Sequence, residues 1–220
     1  MTVLSKKSGI ILYLVVIVAV CAFSFGLVGL LSGLPDKHLL LSSAYIQGDR
    51  ALMTVSSDIL PIVVSRFWSD MQYLLASSNI RQVTIFMMSP GGDAFSGIAM
   101  SEQIEKFRRL GMVFDVYASG VIASAALPIF SACTNRVASL KTMFMIHKAY
   151  SDRNSESQEI ALNMINERYA FILSNHSFLD EKEWSKMQSL SMWFGAEEAK
   201  EYGIVDYIES GVAECQKICQ

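Results

Sequence analysis

Residues 83–92 read Val-Thr-Ile-Phe-Met-Met-Ser-Pro-Gly-Gly, and this stretch decides the fold. Its almost unbroken apolar run, from 83 to 88, predicts a buried strand. The Pro-Gly-Gly that follows favours a sharp turn, because a glycine adopts backbone conformations closed to other residues and leaves its N–H group unobstructed. Such a turn can receive an oxyanion, although a turn of this kind is more often a plain loop.

Strands and helices are predicted to alternate on both sides of this stretch. Strands are predicted at 39–46, 83–88, 112–117, 136–138 and 142–146, and helices at 58–77, 97–110, 123–132 and 156–174. This alternation indicates an α/β domain with a mainly parallel sheet.

A serine among small residues follows the third predicted strand. Residues 120–126 read Gly-Val-Ile-Ala-Ser-Ala-Ala, so the strand gives way through Gly120 to Ser124 at the start of a helix. Serine is a common helix N-cap, and that structural role stays open. The functional interpretation places the hydroxyl at the mouth of the sheet, where the amides of Ala125 and Gly91 converge on a developing negative charge.

A histidine ends the apolar strand at 143–146. His147 is one of three histidines in the chain; His38 abuts the N-terminal apolar segment and His176 follows the long helix. Imidazole titrates in the range that a general base for a serine hydroxyl needs. Lys148 is the alternative base, but it falls on the opposite strand face from His147 if the strand continues.

These motifs, in this order, resemble the proteolytic subunit of Clp proteases and its membrane-associated relatives in the ClpP/crotonase superfamily. The motifs that carry the resemblance lie at 88–92, 120–124, 145–147, 196–199 and 201–206. The resemblance implies a spiral-like core of ββα units, a Ser-His-Asp triad, a backbone oxyanion hole and assembly into rings. It assigns Ser124 as nucleophile, His147 as base and Gly91 with Ala125 as oxyanion donors. Peptide substrate would lie extended beside the glycine turn, at Gly92 and Asp93.

The acid of the triad does not carry over. Counting back from the motif at 201–206, the aspartate position of the family holds Ser191. A serine oxygen can accept a hydrogen bond from the imidazole but contributes no charge, and an acid-to-amide change at this position costs about 10⁴-fold in a serine protease. We therefore expect a Ser-His dyad that is oriented by Ser191 or Ser189 and turns over slowly.

An apolar segment precedes the predicted domain. Residues 10–31 contain no charged residue and as a helix would extend roughly 33 Å, enough to cross a hydrocarbon core of about 30 Å. A cleaved signal peptide is the alternative, but its apolar core would be shorter. We predict a cytoplasmic N-terminus (1–9), a transmembrane signal anchor in the lipid bilayer (10–31), a linker (32–38) and a peptidase domain (39–220). Because Lys6 and Lys7 lie before the anchor, the domain is expected on the periplasmic side of a bacterial inner membrane, away from any cytoplasmic ATPase.

The composition excludes some other functions. The formal net charge is -3 and no Lys/Arg run exceeds two residues, so nucleic-acid binding is not indicated. Of four cysteines, Cys133, Cys215 and Cys219 fall in the domain, and a bridge from Cys133 to either of the others is left open. No histidine lies near the last two, so neither a metal nor another cofactor is expected.

The sequence thus predicts a membrane-anchored homo-oligomeric serine peptidase that hydrolyses peptides or membrane-protein segments. A non-catalytic scaffold is the main alternative because the acid is missing. Acyl-CoA chemistry of the crotonase branch is disfavoured, because it generally needs a carboxylate base and cytoplasmic CoA.

Overall fold

The protein is described from a computed structural model. The chain divides into two units, Met1–Leu39 and Leu40–Gln220. The structure describes residues 45–47, 49–77, 80–152 and 155–209, all of which lie in the second unit. The predicted anchor, its flanking segments and Cys215 and Cys219 therefore lie outside the described residues. Within the described part of the chain, no helix combines the length and apolar character that a membrane span requires.

Eight strands and six helices form among the described residues, which is more than the five strands and four helices that the sequence predicts. In chain order they are β1 (Tyr45–Gln47), β2 (Arg50–Val55), α1 (Pro61–Ser77), β3 (Gln82–Ser89), α2 (Ala94–Arg109), β4 (Val113–Ala123), α3 (Ala126–Ser131), β5 (Asn135–Ser139), β6 (Met143–Ile146), α4 (Glu156–Ser174), α5 (Glu181–Ser189), β7 (Met192–Gly195), α6 (Ala196–Glu201) and β8 (Tyr207–Glu209).

One eight-stranded sheet organises the domain. Its order is β1-β2-β3-β4-β5-β8, and β6 pairs with both β4 and β7. The pairs β2·β3, β3·β4, β4·β5, β4·β6 and β5·β8 are parallel, whereas β1·β2 and β6·β7 are antiparallel. The predicted mainly parallel α/β sheet is therefore confirmed.

Strand β4 changes partner halfway along its length, and this change builds the site. Its first half, Asp115 to Ala118, pairs with β5, and its second half, Val121 to Ala123, pairs with β6. The change occurs at Gly120, whose φ of 70° lies in the left-handed region that favours glycine. The prediction that the strand ends near residue 117 and leads into a helix at 123 is wrong. The strand continues to Ala123, and the helix begins only at Ala126.

The helix predicted at 58–77 begins later, at Pro61. The Ile59 amide donates to the Gly91 carbonyl and the Ile59 carbonyl accepts from the Asp93 amide, at 2.7 and 2.8 Å. Both backbone groups are thus committed to the glycine turn, so the helix starts after them, with proline in the first helical position.

An aromatic cluster packs β6 and β7 against the helices. Phe144 is fully buried and stacks on Phe194, with ring centroids 5.6 Å apart, and Trp184 of α5 packs against the same Phe194 ring. Strand β7 therefore returns along β6 in a fixed register, with Ile146 opposite Met192.

Candidate active site

Ser124 occupies a strained backbone position at the end of β4. Its φ is 52°, a conformation that few residues other than glycine adopt. The Ser124 amide donates to the Met145 carbonyl of β6 at 2.9 Å, and the Ser124 carbonyl accepts from Leu127 in the first turn of α3. These two bonds hold the serine between strand and helix with its side chain partly exposed. Backbone strain that is overdetermined in this way is common at functional sites.

The glycine turn packs directly against this serine. A Cβ atom added to Gly91 would lie 2.7 Å from the Ser124 Cβ and 2.8 Å from the Ala123 carbonyl oxygen. Gly91 and Gly92 have φ values of 106° and 144°, a backbone conformation that favours glycine. The close approach to Ser124 also leaves no room for a side chain at Gly91. The fold therefore brings together two motifs that lie about 30 residues apart in the sequence.

The two glycines differ in what their amides do. The Gly91 amide donates to the Ser89 hydroxyl at 3.2 Å, and Gly91 is buried. Gly92 is exposed and lines the cavity in front of Ser124. Among the described residues, the amides of Gly92 and Ala125 have no hydrogen-bond acceptor. Of the predicted oxyanion pair, Gly91 therefore already donates its N–H group to Ser89, whereas the Ala125 amide has no acceptor among the described residues.

Asp93 lines the same cavity, and its Oδ1 atom, its amide and its carbonyl are each hydrogen-bonded. Its carboxylate caps α2 by accepting from the amide and hydroxyl of Ser96, at 2.8 and 2.6 Å. Its amide is held by Ile59 and its carbonyl accepts from Gly97. Of the two residues predicted to bind substrate, Gly92 therefore has an N–H group free to donate a hydrogen bond. Asp93 forms part of the cavity wall and contributes its carboxylate there.

His147 immediately follows β6 and lines the cavity together with Ser124. Its Nδ1 atom lies 2.6 Å from the Lys148 carbonyl oxygen. A carbonyl oxygen can only accept a hydrogen bond, so Nδ1 is the donor in this contact. The exposed Tyr150 ring packs on the imidazole, with the two ring centroids 5.8 Å apart. No hydrogen bond joins His147 to Ser124 within the described residues.

Ser191 forms no hydrogen bond with His147 in the described structure. The β6·β7 register ends with Ile146 opposite Met192, so the next pair along this ladder would set His147 opposite Ser191. Ser191 is exposed and has a φ of 50°. Ser189, the other predicted orienting residue, donates its hydroxyl to the Lys186 carbonyl at 2.7 Å. The partner of Nδ1 is therefore a backbone carbonyl that side-chain motifs could not reveal.

Two carboxylates at the start of α5 are engaged in a helix cap and do not line the cavity. Asp180 accepts from the Glu183 amide, and the Glu183 carboxylate accepts from the Asp180 amide, so the two form a capping box at the start of α5.

Helix α4 supplies the far wall of the cavity, which has a volume of about 470 Å³. The lining residues from this helix are Gln158, Ala161, Leu162, Ile165 and Tyr169. Tyr169 is nearly buried and donates to the Ala94 carbonyl at 3.1 Å. Burial, with a smaller effect of the Asp93 charge, raises the pKa of Tyr169 well above its usual range, so the phenol stays protonated. This wall could not be predicted from the motifs, because α4 lies outside all of them in the sequence.

The other residues singled out in the sequence lie away from this cavity. Cys133 is a buried free thiol whose pKa is raised to about 12 by burial. His176 contacts the Glu105 carboxylate at 3.0 Å. Within the described residues, no group of three or more His, Cys, Asp or Glu side chains could hold a metal ion.

The chain is similar to known proteins in both sequence and fold. The model of the Clp protease family matches residues 48–211. The ATP-dependent Clp protease proteolytic subunit 3 of Rhizobium meliloti is 28% identical over 147 residues, which cover 64% of this chain and 74% of that protein. The corresponding subunit 3 of Rhodococcus jostii is 25% identical over 194 residues, covering 83% of this chain and 93% of that protein.

The fold has a counterpart among solved structures. A single-site mutant of ClpP1 from Listeria monocytogenes superposes with a TM-score of 0.65 at 23% identity, and the match covers 73% of this chain and 91% of that one. At this identity the likeness establishes the fold alone.

Proposed function

Because the chain belongs to the Clp protease family of serine peptidases, with 164 of its 220 residues inside the family match, we propose that it hydrolyses peptide bonds with a Ser124–His147 dyad. The observation that supports this proposal most strongly is the environment of Ser124. Ser124 has a left-handed backbone and lines one cavity with His147 and Gly92. The amides of Gly92 and of the adjacent Ala125 have no acceptor in the described residues.

In the proposed reaction, the Ser124 hydroxyl oxygen attacks the substrate carbonyl carbon while its proton passes to His147 Nε2. The negative charge that develops on the carbonyl oxygen is held by the amides of Gly92 and Ala125. The peptide nitrogen then leaves with the proton from His147, and a new Ser124 ester remains. Water, deprotonated by the same imidazole, hydrolyses this ester and releases the acid product.

The Lys148 carbonyl takes over the orienting role in this proposal. Its 2.6 Å contact with Nδ1 supports the imidazole tautomer that presents Nε2 as base. A carbonyl dipole stabilises the imidazolium less than a full carboxylate charge would, so we expect turnover below that of a complete triad. Ser191 is then a neighbour of the dyad rather than an essential member.

A non-catalytic scaffold is the competing function, and one observation favours it. In the described residues no hydrogen bond links Ser124 to His147, and the position of the acid holds serine. Catalytic hydrogen bonds are often long before substrate binds, so this geometry does not rule out the peptidase.

Hydrolysis of unfolded peptides by the purified full-length chain separates the two functions. The peptidase predicts cleavage that is lost in Ser124→Ala and in His147→Ala, with Lys148→Ala as a control because its side chain takes no part while its carbonyl remains. Cleavage that survives Ser124→Ala, or no cleavage by the wild type at any pH, would contradict the proposal.

The proposal keeps the membrane anchor at residues 10–31, a periplasmic domain in the bacterial inner membrane, and peptides or membrane-protein segments as substrates. The charge pattern of the sequence supports it, because Lys6 and Lys7 precede an uncharged segment. Protease added to intact cells with a permeabilised outer membrane should degrade the domain. Protection until the inner membrane is lysed would place it in the cytoplasm and contradict this part of the proposal.

A homo-oligomeric ring is proposed as well, as is typical of the family. Helix α4 supports it, because Ile160, Met164 and Phe171 are apolar yet 42% to 65% exposed. Analytical ultracentrifugation of the detergent-solubilised chain should show assemblies that Met164→Glu weakens. A wild type that sediments as a monomer at all concentrations would refute the ring.

A further inference from the structure

A buried serine holds the glycine turn in place. Ser89 ends β3 and is completely buried, with no exposed surface. Its hydroxyl donates to the Ser57 carbonyl at 2.7 Å and accepts from the Gly91 amide at 3.2 Å. One side chain thus joins the segment before α1 to the turn that faces Ser124.

The backbone of Ile59 holds the same turn from the other side. Its amide donates to the Gly91 carbonyl and its carbonyl accepts from the Asp93 amide. Together with the Ser89 bond, these contacts occupy the amide and carbonyl of Gly91 and the amide of Asp93. In the described structure the amide between them, that of Gly92, is left without an acceptor at the cavity.

We propose that Ser89 is a positioning residue, which fixes the glycine turn so that the Gly92 amide points at the oxyanion of the reaction. The inference rests on the proposed peptidase function and extends it, because it assigns a role to a residue that touches neither substrate nor the reacting atoms. In this arrangement the Gly91 amide donates to Ser89 and the Gly92 amide is left for the oxyanion.

Loss of the Ser89 hydroxyl would free the Gly91 amide and release the Ser57 segment. The turn would then settle into more than one conformation, and only some would present Gly92 correctly. Misplacement by about 1 Å can cost about 10²-fold in rate, and complete loss of one oxyanion donor costs about 10²–10³-fold. A partly loosened turn should therefore cost about tenfold to 100-fold in the chemical step, with little effect on initial binding.

Ser101 provides a matched control. It is also completely buried, and its hydroxyl donates to the Ile98 carbonyl within its own helix α2 at 2.8 Å. Ser89→Ala and Ser101→Ala remove the same atoms from equally buried positions, but only the first lies at the turn. Ser89→Cys keeps the volume and a weak hydrogen-bonding group, and it serves if Ser89→Ala does not fold.

The test measures how fast a fluorophosphonate modifies Ser124 at increasing probe concentrations. These rates give two quantities, the maximal inactivation rate constant and the probe concentration at which half of that rate is reached. We expect Ser89→Ala to lower the rate constant about tenfold or more with the half-maximal concentration within about twofold, Ser89→Cys to be intermediate, and Ser101→Ala to match wild type. Equal rate constants for wild type and the Ser89 variants, or an equal loss in Ser101→Ala, would overturn the positioning role alone. A wild type that is never modified would instead overturn the peptidase function, and this inference with it.

Discussion

Gly91→Ala should nearly abolish activity for a steric reason that can be worked from the structure. The new Cβ would lie 2.7 Å from the Ser124 Cβ and 3.0 Å from the Ala125 amide nitrogen, whereas ordinary contacts begin at 3.4 Å. The turn and Ser124 must therefore separate by about 0.7 Å, and Ala123 and Ala125 are buried, so neither side moves freely. A displacement approaching 1 Å costs about 10²-fold in rate, and we expect a loss of about this size in kcat/KM.

Gly111→Ala separates this steric effect from backbone strain. Gly111 has a similarly left-handed φ of 88°, but a Cβ there would meet nothing within 4 Å. In urea titrations Gly111→Ala should lose about 1 kcal/mol of unfolding free energy from backbone strain, and Gly91→Ala should lose more because of the added clash. Peptide hydrolysis at a temperature where both are folded should then fall only in Gly91→Ala. Wild-type kcat/KM in a folded Gly91→Ala would refute the assignment of Ser124 to the reactive site.

Three further predictions concern the dyad, a buried thiol and an ion pair. Ser191→Ala should keep kcat/KM within about threefold because Lys148 orients His147, and Ser191→Asp should raise it by about tenfold; a Ser191→Ala enzyme as inactive as Ser124→Ala would contradict this assignment. Burial raises the pKa of Cys133 from 9.0 to about 12, so between these values the folded thiol stays protonated while the unfolded thiol ionises. The free energy of unfolding should therefore fall by about 2 kcal/mol between pH 9 and 11. Urea titrations in which Cys133→Ala shows the same fall would disprove this prediction. Asp206→Asn should cost about 2 kcal/mol of stability, since Arg136 contacts both oxygens of that carboxylate at 2.7 to 3.0 Å with 13% of its side chain exposed; an unchanged urea midpoint would show that the pair contributes nothing.

Much of the sheet follows from apolar patterning in the sequence. The runs at 83–88 and 143–146 are strongly apolar and bounded by turns, so β3 and β6 were predictable, as was α4 at its observed bounds. Strand β2 and helix α5 were not predicted. Strand β2 is short and mixes Arg50 with apolar residues, whereas α5 did carry a signal, the capping box of Asp180 and Glu183 followed by Trp184 and Met187.

The site was predictable only as far as side chains define it. Ser124 and His147 stand out because their types and neighbours are unusual, and both line one cavity. The roles of Gly91 and Gly92 could not be separated, because they depend on which amide finds an acceptor in the folded turn, and the bond from the Gly91 amide to Ser89 is not visible in the sequence. The Lys148 carbonyl is equally invisible in sequence, since every residue carries the same group.

Mass spectrometry of the full-length protein after treatment with a fluorophosphonate tests the central claim most directly. The proposed dyad predicts a single adduct on the peptide that contains Ser124, no adduct in Ser124→Ala, and an adduct that forms far more slowly in His147→Ala. An adduct on a different serine, or an unmodified Ser124 in a folded protein across the pH range from 6 to 9, would contradict it.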